Sequence, residues 1–420
     1  MQHWTQAGGA RVYLVESPAI AMVDVQLDFD AGTRRVPAAQ TGLAGATAAL
    51  LSKGVAARGA DPALDENALG EAWADLGASF GASAGTDRFS FSLRSLTDPE
   101  LLNQAVQLAA RQIAEPAFPA SVWERDRQRL VAQLKESYTR PGSVAAREFS
   151  KAVYGGHPYG HELTAETLAR ISVADMQAFY SSYITRCSAR VSIVGAVTRA
   201  QADTLVNGLL GRLPQADCAT APALPPVPEV PALERAQQVR IPFESAQAHV
   251  LMGQPGFKRN DPDFFALTVG NYILGGGGFA SRLTEEVREK RGLSYSVYSG
   301  FSPGRHAGAF TVGLQTRPDQ AAQATEVARQ VIAKFVAEGP TTAELQAARD
   351  NLIGGFPLLI DSNGKLLGNL ANIAWNDLPL NYLDTWTAQI AKVTAADIRA
   401  AFARKLQPEK MLTVTVGAAP

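Results

Sequence analysis

Apolar and polar residues alternate along Phe89-Ser-Phe-Ser-Leu-Arg94 and again along Phe310-Thr-Val-Gly-Leu-Gln315, the period of two expected of strands with one buried face. Each run follows a second short β-rich stretch, Phe80-Gly-Ala-Ser-Ala84 and Tyr295-Ser-Val-Tyr-Ser299, so each half of the chain predicts a hairpin. Ala10 to Glu16 reads as a further strand. Apolar residues at three- and four-residue intervals predict helices over Leu101 to Ile113, Ser121 to Tyr138, Phe264 to Leu274 and Gln320 to Ala337. Near the end of each half, Ser172-Val-Ala-Asp-Met and Thr394-Ala-Ala-Asp-Ile look like N-capped helix starts, and the β-rich runs Arg190 to Gly195 and Leu412 to Gly417 follow them.

These pairs are spaced alike. Asp175 precedes Gly195 by 20 positions, Asp397 precedes Gly417 by 20, and one offset of 222 relates both markers, the signature of an internal duplication. Pro222, Pro225, Pro226, Pro228 and Pro231 crowd together between the halves, which favours extended backbone and marks a linker. The expected organisation is an N-terminal domain over 1–218, a linker over 219–235 and a homologous C-terminal domain over 236–420. Strands mixed with segregated helices make the fold class α+β, two α/β sandwich domains in tandem.

Composition removes several function classes. At 420 residues and 46% hydrophobic content the chain can fill two cores. A net charge of −1, from 39 basic and 40 acidic residues, gives no field for nucleic acid or an anionic membrane, and no apolar stretch is long enough for a membrane span. The N-terminus lacks the layout of a signal peptide, which leaves the compartment open between bacterial cytoplasm and periplasm. Cys187 and Cys218 are the only cysteines; they permit one bridge but no Cys-rich metal site, and two free thiols are the expectation.

Asp30-Ala-Gly-Thr-Arg-Arg, Thr41-Gly-Leu-Ala44 and Leu50-Leu-Ser-Lys-Gly54 resemble the opening of the M16 peptidases, the pitrilysin and mitochondrial-processing-peptidase family with its LuxS/MPP-like metallohydrolase fold. In that family the intervening helix reads His-x-x-Glu-His: two histidines one turn apart bind zinc, and the Glu takes a proton from the metal-bound water. Here the matching positions are Gly45, Ala48 and Ala49, and none can ligate a metal or move a proton. The family's third ligand would fall near Gln133, a poor substitute for a carboxylate. Among the histidines only His157 and His161 lie close together, but Pro158 and Gly160 between them prevent a shared helix face. No metal is expected on this chain.

The stretch from Leu274 to Tyr298, Leu-Gly-Gly-Gly-Gly-Phe-Ala-Ser-Arg-Leu-Thr-Glu-Glu-Val-Arg-Glu-Lys-Arg-Gly-Leu-Ser-Tyr-Ser-Val-Tyr, is similar to the family's C-domain signature. The resemblance assigns Arg288 and Tyr295 to the pair that faces the zinc across the cleft, where a guanidinium and a phenol can bind substrate backbone and a developing oxyanion. A purely structural alternative has Ser281 capping a helix, Glu285 and Glu286 in its first turns, Arg288, Lys290 and Arg291 before Gly292, and Tyr295 as a packed aromatic. Gly275, Gly276, Gly277 and Gly278 are not followed by Lys-Ser/Thr, so they form no P-loop. They read as a flexible turn, and the resemblance gives that place a part in substrate recognition.

Family members enclose peptides in a clam shell of four such domains, and chains of this length pair. The resemblance therefore implies a heterodimer in which a homologous subunit binds zinc and this chain supplies Arg288 and Tyr295. The alternatives are a silent assembly scaffold, as the core proteins of respiratory complex III are, and a peptide-binding protein.

Overall fold

A computed structural model describes residues 1–215, 217–220 and 222–417. Ala216, Ala221 and the last residues of the expected C-terminal domain, Ala418 to Pro420, lie outside the described residues. The strands are β1 Gln2–Thr5, β2 Arg11–Glu16, β3 Met22–Phe29, β4 Gly54–Val55, β5 Leu64–Asp65, β6 Ser79–Ala84, β7 Phe89–Leu96, β8 Arg190–Gly195, β9 Gln237–Ile241, β10 Ala248–Pro255, β11 Ser296–Phe301, β12 Ala309–Thr316 and β13 Leu412–Val416. The helices are α1 Leu43–Leu50, α2 Glu66–Asp75, α3 Pro99–Ala114, α4 Ala120–Ser137, α5 Pro141–Tyr154, α6 Ala165–Ala169, α7 Val173–Tyr183, α8 Arg199–Leu210, α9 Phe264–Asn271, α10 Ala321–Glu338, α11 Thr342–Gly355, α12 Asn363–Trp375, α13 Tyr382–Lys392 and α14 Ala395–Lys405.

The first sheet runs β1-β2-β8-β3-β7-β6 and the second β11-β12-β10-β13-β9. Read from β2, the first repeats the second in reverse listing, with β2 and β9 each parallel to the last strand of their half and the other neighbours antiparallel. Mixed sheets with helices packed on them confirm the α+β class. Both expected hairpins form, with Phe80 opposite Leu93 and Val297 opposite Leu314. The two marker helices start in equivalent capping boxes. Asp175 N–H donates to Ser172 Oγ at 3.1 Å while Ser172 N–H donates to the Asp175 carboxylate at 2.8 Å. Thr394 and Asp397 repeat those distances, so each box satisfies two N–H groups that the helix leaves open.

The chain folds as two compact units that interleave in sequence, unlike the contiguous spans read from the sequence. The first takes residues 1–132, 163–227 and 357–382; the second takes 133–162, 228–356 and 383 onward. Each half therefore lends a helix. In the second unit α5, from the first half, lies on β10 and β13; Val144, Ala145, Phe149 and Val153 bury against Ala309, Leu412, Val414 and Val416. Gly253 has no alternative there, because a Cβ would meet Phe310 O at 1.9 Å and the Phe149 ring at 2.9 Å. In the first unit α12, from the second half, lies on β8 and β3, where Leu367, Leu370 and Ala374 pack on Tyr13 and Val194.

The proline-rich run divides between the units at 227/228. Arg35 donates to Pro225 O in the first unit, and His157 Nε2 meets Pro228 O at 2.9 Å in the second. The expectation of free thiols is corrected: Cys187 and Cys218 are bridged, with Cα atoms 5.3 Å apart across 31 residues. Sequence distance hid this, because the chain returns through α8 before reaching Cys218. Gly9 lies against the bridge at φ +88°, a backbone conformation that favours glycine, and a Cβ there would come within 2.5 Å of Cys218 Sγ.

Candidate functional site

The positions where the resemblance would put a metal carry nothing that could hold one. Gly45 and Ala49 lie exposed on α1, Ala48 is buried, and Gln133 is exposed on α4. No group of three or more His, Cys, Asp or Glu side chains suited to a metal occurs among the described residues. His157 is used otherwise. Its Nδ1 accepts the Tyr159 N–H at 3.1 Å, which leaves the proton on Nε2 for Pro228 O, and burial lowers its pKa.

The signature stretch of the second unit builds a different feature. Past α9 the hydrogen bonding widens to a π-helical turn over Tyr272–Gly276, closed by Gly277 N–H to Tyr272 O at 2.8 Å. The glycine run is thus not the flexible turn expected. Gly275 is buried, and a Cβ on it would meet Ser299 N and Oγ at 2.5 Å. Asn271 secures the same approach, donating to Ser299 O at 3.2 Å and accepting from Ser299 Oγ at 2.8 Å. The turn itself falls at Gly278, with φ +60° and open space around it. It delivers Phe279 to the surface.

Ser281 does not cap the following helix through its side chain. Fully buried, it donates from Oγ to Gly278 O at 2.7 Å and lies 3.0 Å from Thr284 Oγ1, so it ties the turn to the helix instead. That helix also widens to π geometry over Thr284–Glu289, with Lys290 N–H bonded to Glu285 O at 2.9 Å. π turns of this kind recur at functional sites.

Most cations of the stretch are committed. Arg282 bonds Glu344 at 2.6 and 2.7 Å. Burial pushes the Glu344 carboxyl up, but hydrogen bonds from Arg282 and Thr341 outweigh it and hold its pKa at about 2. Lys290 and Arg291 pair with Glu286 at 2.7 and 2.6 Å. Arg288 differs. Its ion pair is with the neighbouring Glu289, from Nε at 3.3 Å, and its guanidinium lies 4.7 Å from the Phe279 ring centre and 5.0 Å from that of Tyr295.

Tyr295 precedes β11 and is 79% exposed, and Phe279 is 74% exposed, so Tyr295 is not the packed aromatic of the structural alternative. The structure brings Arg288 and Tyr295 together and adds Phe279, which sequence reasoning missed. Nothing in the sequence separates an exposed Phe after a glycine run from a core one. The arrangement offers a held cation and a phenol, both donors, on one exposed surface of this unit.

Fold and site together define a metallopeptidase-like chain with no metal-binding cluster among the described residues. The chain belongs to the M16 peptidase family: residues 11–167 match the family described as insulinase (peptidase family M16), and residues 170–352 match the M16 inactive domain. An M16 inactive-domain protein from Pseudomonas fluorescens has the same fold at a TM-score of 0.92 and 34% identity, over 100% of this chain and 98% of that one. YmxG of Helicobacter pylori, named a non-peptidase homolog, is 25% identical over 91% of this chain and 86% of its own length. YmxG of Bacillus subtilis, named an uncharacterized zinc protease, is 23% identical over 89% of this chain and 88% of its own.

Proposed function

We propose that this chain is the non-catalytic subunit of a heterodimeric M16 zinc endopeptidase. In this reading a homologous subunit carries His-x-x-Glu-His and the zinc, and this chain supplies Arg288 and Tyr295 and helps enclose a peptide substrate. The observation that carries the proposal is the surface pair of donors Arg288 and Tyr295 on a chain whose metal-motif positions hold Gly45, Ala48, Ala49 and Gln133. Zinc on the partner would activate the attacking water. On this chain, Arg288 and Tyr295 would hydrogen-bond the peptide carbonyl as its oxygen gains charge. The glycines Gly275 to Gly278 would act by placing neighbouring side chains.

The test is hydrolysis of a fluorogenic peptide by this chain, by a zinc-motif homologue from the same organism, and by the mixture. Activity confined to the mixture supports the reading; a homologue fully active alone and indifferent to this chain overturns it in favour of a scaffold or peptide-binding protein. In the mixture, Arg288→Ala should lower kcat about 100- to 1000-fold, as loss of an oxyanion donor does, with subunit association unchanged.

The Cys187–Cys218 bridge also favours an oxidising compartment such as the periplasm. Thiol labelling of the chain taken directly from cells checks this. Protection of both cysteines until a reductant is added is the expected result, and immediate labelling would place the chain in a reducing compartment.

A further inference from the structure

We infer that Phe279 is a positioning residue for Arg288, the third member of the site; the inference rests on the proposed role of Arg288 and extends it. An apolar side chain left 74% exposed gains little from burial. What Phe279 has instead is a ring face 4.7 Å from the Arg288 guanidinium, well inside the range of a cation–π attraction.

Three features of the backbone serve that placement. Gly278 adopts φ +60° immediately before Phe279. Ser281 Oγ holds Gly278 O at 2.7 Å. The π turn over Thr284–Glu289 changes the angular position of Arg288 relative to an α-helical continuation. The glycine run is therefore a mount for an aromatic ring.

The physical need is clear from the surroundings. Among the described residues Arg288 has no carboxylate partner beyond the exposed Glu289, and a long side chain at the surface otherwise samples many rotamers. Phe279 and Tyr295 both face its guanidinium and restrict it while leaving its terminal nitrogens as donors. Ion pairing could also restrict the side chain, but it would occupy those donors. Aromatic rings do not, so the side chain is held at lower entropy cost when a carbonyl binds.

The test uses the reconstituted complex and a peptide substrate, with four forms of this chain: wild type, Phe279→Tyr, Phe279→Leu and Arg288→Ala. Phe279→Leu keeps apolar bulk but removes the ring quadrupole; it should lower kcat about two- to fivefold with KM little changed. Phe279→Tyr should restore wild-type kcat. Stepwise fluorination of the ring at position 279 should lower kcat progressively at nearly constant shape.

A Phe279→Leu chain with wild-type kcat, or a flat fluorination series, while Arg288→Ala is impaired, overturns the positioning role alone. An Arg288→Ala chain with full activity overturns this inference together with the reading beneath it. The isolated chain gives an independent check. Arg288 side-chain NMR signals should carry a ring-current shift that Phe279→Leu reduces and Phe279→Tyr retains, and unchanged signals in Phe279→Leu would rule the contact out.

Discussion

The two exchanged helices, α5 on the second sheet and α12 on the first, occupy equivalent places 222 residues apart in their starts but meet their sheets with different chemistry. Beneath α5 the contact is apolar, with Phe149 and Val153 on Leu412, Val414 and Val416. The face of the first sheet that meets α12 carries, beside the apolar Tyr13 and Val194, the buried polar residues Asp24, Asp28, Arg190 and Ser192. There Asp28 accepts from Gln26 at 2.9 Å, Ser90 at 2.5 Å and Arg88 at 3.2 Å. Asp24 accepts from Arg94 at 2.6 Å. Arg88 and Arg190 both lie over the Trp375 ring, at 5.5 and 5.0 Å, and Arg190 donates to Trp375 O.

Duplication thus preserved the backbone arrangement and left the energetics of the seam free to diverge. An apolar seam draws its stability from area removed from water. A polar seam contributes little net, because its charges lose hydration, but it penalises any arrangement that leaves one of them unpaired. The α5 seam should therefore respond to lost volume and the α12 seam to lost partners.

The largest expected effect is at the α5 seam. Phe149→Ala should destabilise the second unit by about 3–5 kcal/mol, the range for truncating a buried aromatic, measured by urea unfolding with hydrogen exchange resolving the units. A loss below about 1 kcal/mol would mean that α5 is not held by this core. At the α12 seam, Asp28→Ala should cost about 1.5–3 kcal/mol, the worth of hydrogen bonds to a charged group, with exchange rising in α12 and β3. Equal exchange in wild type and variant would break the contrast.

A smaller effect should separate the seams by pH. His157 and His161 follow α5 directly, and His249 lies beside it, 3.2 Å from the place a Cβ on Gly142 would take. Burial lowers all three below the ordinary 6.5, so as pH falls the unfolded chain takes up protons before the folded one does. The stability of the second unit should then decline as pH drops from about 7 towards 5. Glu344, held at about 2, keeps its contribution through that window. Thermal unfolding at pH 7.5 and pH 5.5 checks the sign; a second unit more stable at pH 5.5 would contradict it.

How far the site was legible in the sequence depended on the range of the forces involved. Arg288 and Tyr295 stood in a continuous motif whose residues are neighbours in space because they are neighbours along one helix and strand start. Phe279 belongs to the same few turns, yet its exposure follows from Gly278 adopting φ +60° and Gly275 packing against Ser299, neither of which a pattern of letters displays. The structural alternative made Ser281 a cap because Ser is a favoured residue before a helix. Burial redirected its hydroxyl to Gly278 O.

Local elements, the helix caps at Ser172 and Thr394, the duplication behind them and the lack of ligands at Gly45, Ala48 and Ala49 follow from the order of residues alone. Periodicity, capping and side-chain chemistry are set by residues a few positions apart. Long-range packing set the rest: α5 and α12 lie in units built largely from the other half, Cys187 meets Cys218, and the two sheets differ in what they bury. Each of these depends on contacts between segments far apart in sequence, where the gain from burying a face, or the cost of leaving a charge unpaired, selects the partner.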